Sequence, residues 1–282
     1  MLVTDSIAEV RRARWADPAL SWGLVPTMGY LHEGHLSLVR RARAENDRVA
    51  VSIYVNPTQF APTEDLATYP RDLQRDLSLL EAEGADLVFT PSDAGMYPPG
   101  YQTYVTVEEV TRPLEGASRP THFRGVTTIV AKLFNIFQPT RAYFGQKDAQ
   151  QTVVIRRMVE DLNFNLQVVI CPIVREADGL AMSSRNAYLS PAERAAATVL
   201  YRALSAAKAA FEAGERDGDA LRRLMEETVA AEPLARLDYA SVADPNTLAE
   251  LARVEDAALF SMAVFIGKTR LIDNMPVGGG AN

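Results

Sequence analysis

The stretch Gly23-Leu-Val-Pro-Thr-Met-Gly-Tyr-Leu-His-Glu-Gly-His35 decides the fold class, because a short apolar run passes through a glycine turn into a segment with helical periodicity. Residues 23–26 predict a buried strand, and residues 35–45 predict the helix that follows it. In open α/β sheets, ligands bind at this position, beyond the carboxyl end of a strand. The stretch therefore indicates both a parallel sheet and a candidate ligand site.

The alternation of strand and helix continues through the first half of the chain. Further strands are predicted at residues 48–55, 86–90, 141–144 and 166–171, and further helices at 71–83, 125–137 and 149–162. Each predicted strand leads into a helix, which is the pattern of parallel strands joined by crossover helices. We expect an α/β protein whose first domain is a Rossmann-like parallel sheet.

The regular alternation of predicted strands and helices ends after Pro172. A polar connection leads to Ser190, which has Pro191 and Glu193 in the positions of a capped helix start, and the helical pattern then runs to about Gly214. A further helix is predicted at 217–230, and strands of a small second sheet at 238–242, 257–267 and 269–274. These features predict a first domain at 1–173 and a smaller α+β C-terminal domain at 174–282.

Charge and cysteine content narrow the class of protein. The chain has 36 acidic and 29 basic residues and a formal net charge of −7, which disfavours a nucleic-acid partner. Its single cysteine, Cys171, excludes an intrachain disulfide. The sequence shows no signal-peptide pattern and no apolar run of membrane-spanning length, so we expect a cytoplasmic protein without a membrane partner.

Two histidines, His32 and His35, flank Gly34 at the predicted helix start. Free backbone N–H groups and the helix dipole favour an anion there, and imidazoles add donors, so the pattern suits a phosphate. An alternative is a helix-start turn with one capping histidine. A metal site is disfavoured, because zinc needs three or four ligands and the third histidine, His122, is far away in sequence.

A second candidate segment is Tyr143-Phe-Gly-Gln-Lys-Asp-Ala-Gln-Gln151, again a strand, a glycine turn and a helix. Gly145 permits close approach of a ligand, and Lys147 offers an ammonium group to a phosphate. Asp148 suits either a ribose hydroxyl or a helix cap. The alternative for Lys147 is a solvated surface charge.

A third candidate segment, Asp178-Gly-Leu-Ala-Met-Ser-Ser-Arg-Asn186, places two hydroxyls before a guanidinium and suits an oxyanion, although an ordinary polar linker is the alternative. Two glutamines, Gln59 in Val55-Asn-Pro-Thr-Gln59 and Gln151, are candidates to anchor a small polar substrate. Surface polar residues are the alternative for both.

Together and in this order, these segments resemble the pantothenate synthetase (pantoate–β-alanine ligase) family, within the HxGH nucleotidyltransferase-like superfamily. The matching motifs are Pro26-Thr-Met-Gly29, His32-Glu-Gly-His35, Val55-Asn-Pro-Thr-Gln59, Leu114-Glu-Gly-Ala-Ser-Arg-Pro-Thr-His-Phe-Arg-Gly125, Gly145-Gln-Lys-Asp148 with Gln151, Met182-Ser-Ser-Arg-Asn186 and Arg270-Leu-Ile-Asp-Asn274. They extend over nearly the whole chain.

The resemblance implies ATP-dependent condensation of (R)-pantoate with β-alanine, giving pantothenate, AMP and pyrophosphate through a pantoyl-adenylate. It further implies ATP as co-substrate, Mg²⁺ with unknown protein ligands, small-molecule partners and a homodimer. The first domain would bind ATP and pantoate, and the C-terminal domain would close over the active site. Residues 60–69 are a candidate lid, since an acyl-adenylate must be shielded from water.

The resemblance also implies roles for individual residues. His35 is the residue usually assigned as proton donor, and His32 and Lys147 are the other catalytic candidates. Gln59, Gln151 and Arg119 would bind pantoate, and Gln59 would also lie near β-alanine. The ATP site would comprise Met28, Gly29, Tyr30, Leu31, His32, Glu33, Gly34, His35, Gly145, Gln146, Lys147, Asp148, Val174, Met182, Ser183, Ser184 and Arg185. Gln146 replaces the glutamate common in the family, and we expect little effect.

Three other functions share parts of this pattern. An aminoacyl-tRNA synthetase uses related motifs and chemistry but needs a tRNA-binding surface, which an acidic chain of 282 residues does not indicate. A cytidylyltransferase or adenylyltransferase would lack the paired glutamines. A non-catalytic nucleotide sensor would bind ATP through the same loops. Formation of AMP with pantoate and β-alanine separates all three from the ligase.

Overall fold

The computed structural model describes residues 1–61 and 64–279. The chain forms two compact units. The first comprises Met1–Gly145 and Val154–Pro172, and the second comprises Gln146–Val153 and Ile173–Asn282. Residues 146–153, which include several candidate site residues, therefore group with the later part of the chain.

The first unit is built on a parallel sheet. Its strands are β1 (Leu2–Thr4), β2 (Trp22–Thr27), β3 (Arg48–Ile53), β4 (Leu87–Phe89), β5 (Arg141–Gly145) and β6 (Gln167–Cys171). The strand order is β1-β4-β3-β2-β5-β6, and all pairs are parallel. β3, β4 and β1 lie on one side of β2, and β5 and β6 lie on the other side. The carboxyl ends of β2 and β5 thus form the switch point at which such sheets bind ligands.

Helices of the first half of the chain connect these strands. They are α1 (Ile7–Trp15), α2 (Glu33–Glu45), α3 (Leu73–Ala82), α4 (Asp93–Met96), α5 (Glu115–Ser118), α6 (His122–Phe137) and α7 (Ala149–Asp161). One core cluster packs the apolar face of α2 against strand residues such as Val25, Val49 and Val51, all of which are fully buried. The predicted α/β class is confirmed. Within the part of the chain that the structure describes, no helix is long and apolar enough to span a membrane.

Local capping explains where the helices begin. The predicted helix at 35–45 starts two residues earlier because His32 caps it, and the one predicted at 71–83 starts later because Asp72 caps it by accepting from the Arg75 N–H. The sequence reading missed β1 and α1. The first two residues of β1, Leu2 and Val3, are exposed, so this edge strand lacks the apolar run that marks the inner strands.

The described residues of the second unit include the first residues of α7, a small antiparallel sheet and helices from the later part of the chain. Its strands are β7 (Ala235–Ala243), β8 (Ala257–Ile266) and β9 (Thr269–Gly278), paired in that order, and its helices are α8 (Pro191–Ala196), α9 (Val199–Glu212) and α10 (Gly218–Ala230). The predicted capping box of Ser190 and Glu193 is present. The single helix expected to follow is instead two helices, because the N–H groups of Thr198 and Leu200 donate to the carbonyls three residues earlier, which breaks the α-helical pattern between α8 and α9.

Candidate active site

The turn after β2 is fixed by its own backbone requirements. Gly29 has φ +80°, and a Cβ there would lie 3.0 Å from the Ile53 side chain and 3.1 Å from a carboxylate oxygen of Asp76. Tyr30 also has positive φ, at 51°. The Thr27 hydroxyl donates to the Ser52 carbonyl and accepts from the Gly29 N–H. A glycine is therefore needed at position 29 for both conformation and space.

The carboxylate of Asp76 on α3 fixes the backbone of this turn by hydrogen bonds. Its carboxylate is 1% exposed and accepts from the N–H groups of Tyr30 at 2.7 Å and Leu31 at 2.8 Å. Burial raises the pKa of the Asp76 carboxyl, and the two N–H groups act in the opposite direction. Because these N–H groups already bind a carboxylate, donors for a phosphate must come from farther along the segment. The sequence reading missed Asp76; its placement on the buried face of α3, four residues before Leu80, was the available signal.

The two histidines at the start of α2 both cap the helix. His32 Nδ1 accepts from the Gly34 N–H at 3.2 Å, and His35 Nδ1 accepts from the His32 N–H at 3.3 Å. A backbone N–H can only donate, so each Nδ1 lacks a proton and each neutral ring carries its proton on Nε2. Capping uses Nδ1 of each ring, so Nε2–H is the group of each ring that can donate a hydrogen bond. The capping and phosphate interpretations are therefore compatible in the same residues.

Glu33, which the resemblance assigns to the ATP site, is paired with a nearby arginine. Glu33 binds the Arg40 guanidinium with both carboxylate oxygens, which lowers the pKa of Glu33. Its predicted contact with ATP stays a prediction.

Gln59 ends a short 3-10 turn, Pro57–Gln59, that follows β3. Its side chain is nearly buried, and its Oε1 accepts from Asn56 Nδ2 at 3.0 Å. The Gln59 Nε2 consequently points the other way, 3.9 Å from the sulfur of Met28. Asn56 is itself held, since its Oδ1 accepts from the Tyr97 hydroxyl and its Nδ2 donates to the Gly125 carbonyl. Asn56 thus fixes which end of the Gln59 amide is available as a donor, a role that the sequence reading did not assign.

Arg119 and His122 fix the backbone of Gln59. His122 Nδ1 lies 2.9 Å from the Gln59 carbonyl, and Arg119 Nη1 lies 3.2 Å from His122 Nε2. Because the carbonyl only accepts and the guanidinium only donates, His122 is neutral with its proton on Nδ1. Burial, aided by the adjacent Arg119, lowers the pKa of His122 to about 4.

The same guanidinium binds a carboxylate at its other edge. Arg119 Nε and Nη2 each donate to Glu64 at 2.6 Å, and Nη2 also lies 3.3 Å from the Gln59 carbonyl. Burial alone would raise the pKa of Glu64, but Arg119 holds it below its usual value. In this arrangement Arg119 acts on Gln59, and its predicted contact with pantoate stays a prediction.

A cavity of about 860 Å³ lies within the first unit beside the turn after β2. Its wall includes Met28, Tyr54 and Phe60, and part of the predicted lid at 60–69. Residues 62 and 63 of that lid lie outside the described residues, while 65–67 form a short 3-10 turn. Closure of the lid stays a prediction.

The second unit brings its own candidates together in two places. Gln146–Asp148 form a 3-10 turn directly before α7, with Lys147 Nζ 3.5 Å from Asp148 Oδ1 and Gln151 in the first turn of the helix. Separately, the Met182 N–H donates to the Val174 carbonyl, so residues 174–182 fold back on themselves around Gly179, which has φ +92°.

The serines and arginine that follow Met182 form a second turn. Ser183 caps the 3-10 turn Ser184–Tyr188 by accepting from the Arg185 N–H. Met182 is thereby adjacent to Val174, and the turn capped by Ser183 follows directly; the predicted contacts of this segment with ATP stay a prediction. In the described part of the chain, no group of three or more His, Cys, Asp or Glu side chains is arranged to bind a metal ion.

A parallel sheet with its switch point beside a helix N-terminus that carries two imidazole donors is typical of α/β proteins that bind a phosphorylated ligand. Comparison with known proteins specifies the family. A model of the pantoate-beta-alanine ligase family matches residues 2–276, and the chain belongs to this family. The resemblance predicted from the motifs is confirmed.

Individual relatives agree with this assignment. The chain is 66% identical to pantothenate synthetase of Roseiflexus castenholzii over 274 residues, which cover 97% of this chain and 98% of the relative. The crystal structure of pantothenate synthetase from Thermus thermophilus is 50% identical, with a TM-score of 0.93 over 98% of this chain and 99% of that one. A pantoate-beta-alanine ligase from Francisella tularensis, crystallised with beta-gamma ATP and beta-alanine, is 35% identical, with a TM-score of 0.80 over 98% and 97%.

Proposed function

We propose that the protein condenses pantoate with β-alanine at the expense of ATP, releasing AMP and pyrophosphate through a pantoyl-adenylate. The observation that carries the proposal is the pair of imidazoles at the start of α2, each of which accepts a backbone N–H at Nδ1 and therefore carries its proton on Nε2. Family membership over residues 2–276 supports the identity of the acid and the amine.

In the first step, a carboxylate oxygen of pantoate attacks the α-phosphorus of ATP, and the bond from that phosphorus to the bridging oxygen of pyrophosphate breaks. Catalysis of such a step is mainly positioning and stabilisation of charge. His32 and His35 would donate hydrogen bonds from Nε2–H to phosphate oxygens, and in this step His35 would be a hydrogen-bond donor that keeps its proton. The remaining phosphate ligands would be Lys147, Ser183, Ser184 and Arg185.

In the second step, the neutral amine of β-alanine attacks the carbonyl carbon of the adenylate. The C–N bond forms, the bond from the acyl carbon to the AMP oxygen breaks, and the proton lost by the amine goes to the phosphate of the departing AMP or to water. No protein nucleophile takes part. Correct placement of the two reactants can supply about 7–11 kcal/mol of the barrier reduction.

Pantoate would be held by neutral amides. Gln59 is preset as a donor because Asn56 occupies its Oε1, and Gln151 would supply a second amide. Amides bind hydroxyl and carboxylate oxygens without adding charge. Gln59 would also contact β-alanine, and Arg119 would act from beside the Gln59 carbonyl.

Magnesium would enter with the nucleotide. Mg²⁺ commonly binds substrate phosphates together with water and few protein oxygens, which agrees with the lack of a metal-binding cluster among residues 1–61 and 64–279. The form of ATP that binds would therefore be MgATP. We also propose a cytoplasmic homodimer: the single buried cysteine suits a reducing compartment, and family resemblance supports the dimer.

The test uses the full chain with MgATP, pantoate and β-alanine. We expect equal amounts of AMP, pyrophosphate and pantothenate, and pantoate-dependent exchange of labelled pyrophosphate into ATP when β-alanine is omitted. Exchange that required a different acid would contradict the assignment of pantoate. Tight ATP binding without either reaction would identify a nucleotide sensor instead.

A further inference from the structure

The segment Arg270-Leu-Ile-Asp-Asn274 lies on β9, and the function proposed above gives it no role. Two of its polar residues, Asp273 and Asn274, are each only 2% exposed. Buried polar side chains persist when their hydrogen bonds are satisfied, so the partners of these two residues show what they hold in place.

The Asn274 side chain holds the turn that carries Lys147. Its Nδ2 donates to the carbonyls of Gln146 and Lys147, at 2.9 Å each, and its Oδ1 accepts from Gln146 Nε2 at 3.0 Å. Since carbonyl oxygens only accept, the orientation of the Asn274 amide is settled. One side chain thus binds two consecutive backbone carbonyls and one side chain of the turn.

Asn274 is itself firmly placed. Its N–H donates to Asp273 at 2.7 Å, and its carbonyl accepts from Arg175 at 3.2 Å. Arg175 also binds both carboxylate oxygens of Asp273, at 2.7 and 2.9 Å. Burial raises the pKa of Asp273, and the guanidinium of Arg175 opposes that effect. The backbone on both sides of the Asn274 side chain is therefore bound to neighbouring groups.

We propose that Asn274 is a positioning residue that, together with Gln146, fixes the turn so that Lys147 is presented to the phosphates of ATP. The inference rests on the phosphate-binding role proposed above for Lys147. The ammonium has little local restraint of its own, since its ion pair with Asp148 is long, at 3.5 Å. Its location consequently depends on the backbone that Asn274 holds.

The expected effects follow from the number of contacts removed. Asn274→Ala removes all three contacts and should lower kcat/KM for ATP in pyrophosphate exchange by about 100-fold, as expected for a displaced binding group. Gln146→Ala removes one contact and should lower it by about 2- to 10-fold. The KM for pantoate should change much less in both variants.

A double-mutant cycle with Lys147→Ala separates positioning from general stabilisation. If Asn274 acts through Lys147, adding Asn274→Ala to Lys147→Ala should cost less than about 3-fold in kcat/KM, whereas independent effects multiply. Arg270→Ala is the matched control, because Arg270 lies on β9 like Asn274 and the variant breaks its 2.8 Å pair with Asp238 of β7. Its exchange rate should stay within about 2-fold of the parent, and its effect should multiply with that of Lys147→Ala.

The outcomes separate three claims: the positioning role of Asn274, the phosphate-binding role of Lys147 and the ligase function. Multiplying effects of Asn274→Ala and Lys147→Ala would overturn the positioning role and leave the ligase function intact. A Lys147→Ala variant with the parent's rate would overturn the role of Lys147 and the inference that rests on it, while pantothenate formation by the parent would still support the function. If Asn274→Ala does not fold, the cycle of Gln146→Ala with Lys147→Ala decides in the same way, because Asn274 and its two carbonyl contacts remain.

Discussion

His122 should make the stability of this protein depend on pH in a defined direction. The neutral ring donates from Nδ1 to the Gln59 carbonyl and accepts at Nε2 from Arg119. Protonation would remove the acceptor and place a second cation against the guanidinium. Burial and Arg119 lower the pKa of His122 to about 4, while the Gln59 carbonyl, Glu115 and Glu64 act in the opposite direction.

The size of the effect follows from linkage. The folded-state pKa lies below the value of 6.5 for an unperturbed histidine, so the unfolded chain takes up the proton first as the pH falls. The stability contributed by the neutral ring is therefore complete above pH 6.5 and is lost as the pH falls towards 4. The total loss is about 3 kcal/mol, of which about 2 kcal/mol has occurred at about pH 5.

The perturbation is His122→Asn, which keeps a donor near the Gln59 carbonyl but does not titrate. Urea unfolding of the parent and the variant between about pH 5 and 8 gives the difference in their free energies of unfolding. That difference should be constant from about pH 7 to 8 and should shift by about 2 kcal/mol against the parent at about pH 5. Parallel curves over the whole range, or an NMR titration that places the His122 pKa at about 6 or above, would refute the reasoning.

Four further outcomes test individual residues. His35→Ala should slow pyrophosphate release by about 10² or more with the fold retained, and a near-normal rate would remove His35 from the chemistry. Lys147→Ala should slow the same step with an almost unchanged melting temperature; a destabilised variant whose remaining folded fraction has the parent's activity would make Lys147 structural. Gln151→Ala should weaken pantoate binding about 10- to 150-fold in calorimetry and ATP binding much less, whereas equal weakening would mean that the change disturbed both ligand sites. Gly125→Ala should lower stability and raise the KM for pantoate, since the new Cβ would lie 2.3 Å from the Thr58 carbonyl oxygen; unchanged values of both would contradict the packing.

The elements that the sequence predicted best are those with a complete local pattern. The strand at 23–26 and the helix after it combine an apolar run, a glycine turn and helical periodicity, and they appear as β2 and α2 with their ends shifted by one or two residues. α5 escaped prediction because it spans only Glu115–Ser118, too short for a periodic signal. The break between α8 and α9 is a different case, because backbone N–H groups there donate to carbonyls three residues earlier although the apolar pattern continues.

For the candidate site, sequence motifs located the groups suited to ligands but not the groups that hold them. Asp76 is 46 positions from Tyr30, and Asn274 is 128 positions from Gln146, so no local spacing connects either pair. Such partners become visible only when the fold brings distant elements together. The tautomers of His32 and His35 also required the structure, because they depend on which backbone N–H each ring accepts.

Three buried polar side chains, here called supports, each fix a segment that would bind substrate, and they have the same consequence for catalysis. Asp76 fixes the turn after β2, Asn56 fixes the Gln59 amide, and Asn274 fixes the turn that carries Lys147. In each case a nearly buried polar side chain accepts from, or donates to, the segment whose conformation matters for ligand binding. Groups held in this way before the substrate arrives lose little entropy when they bind it, and they need not reorganise as charge develops on the α-phosphate. Substituting a support should therefore reduce turnover even where every group that touches substrate is retained, which is why Asn274 is a stricter test of the mechanism than another ligand residue would be.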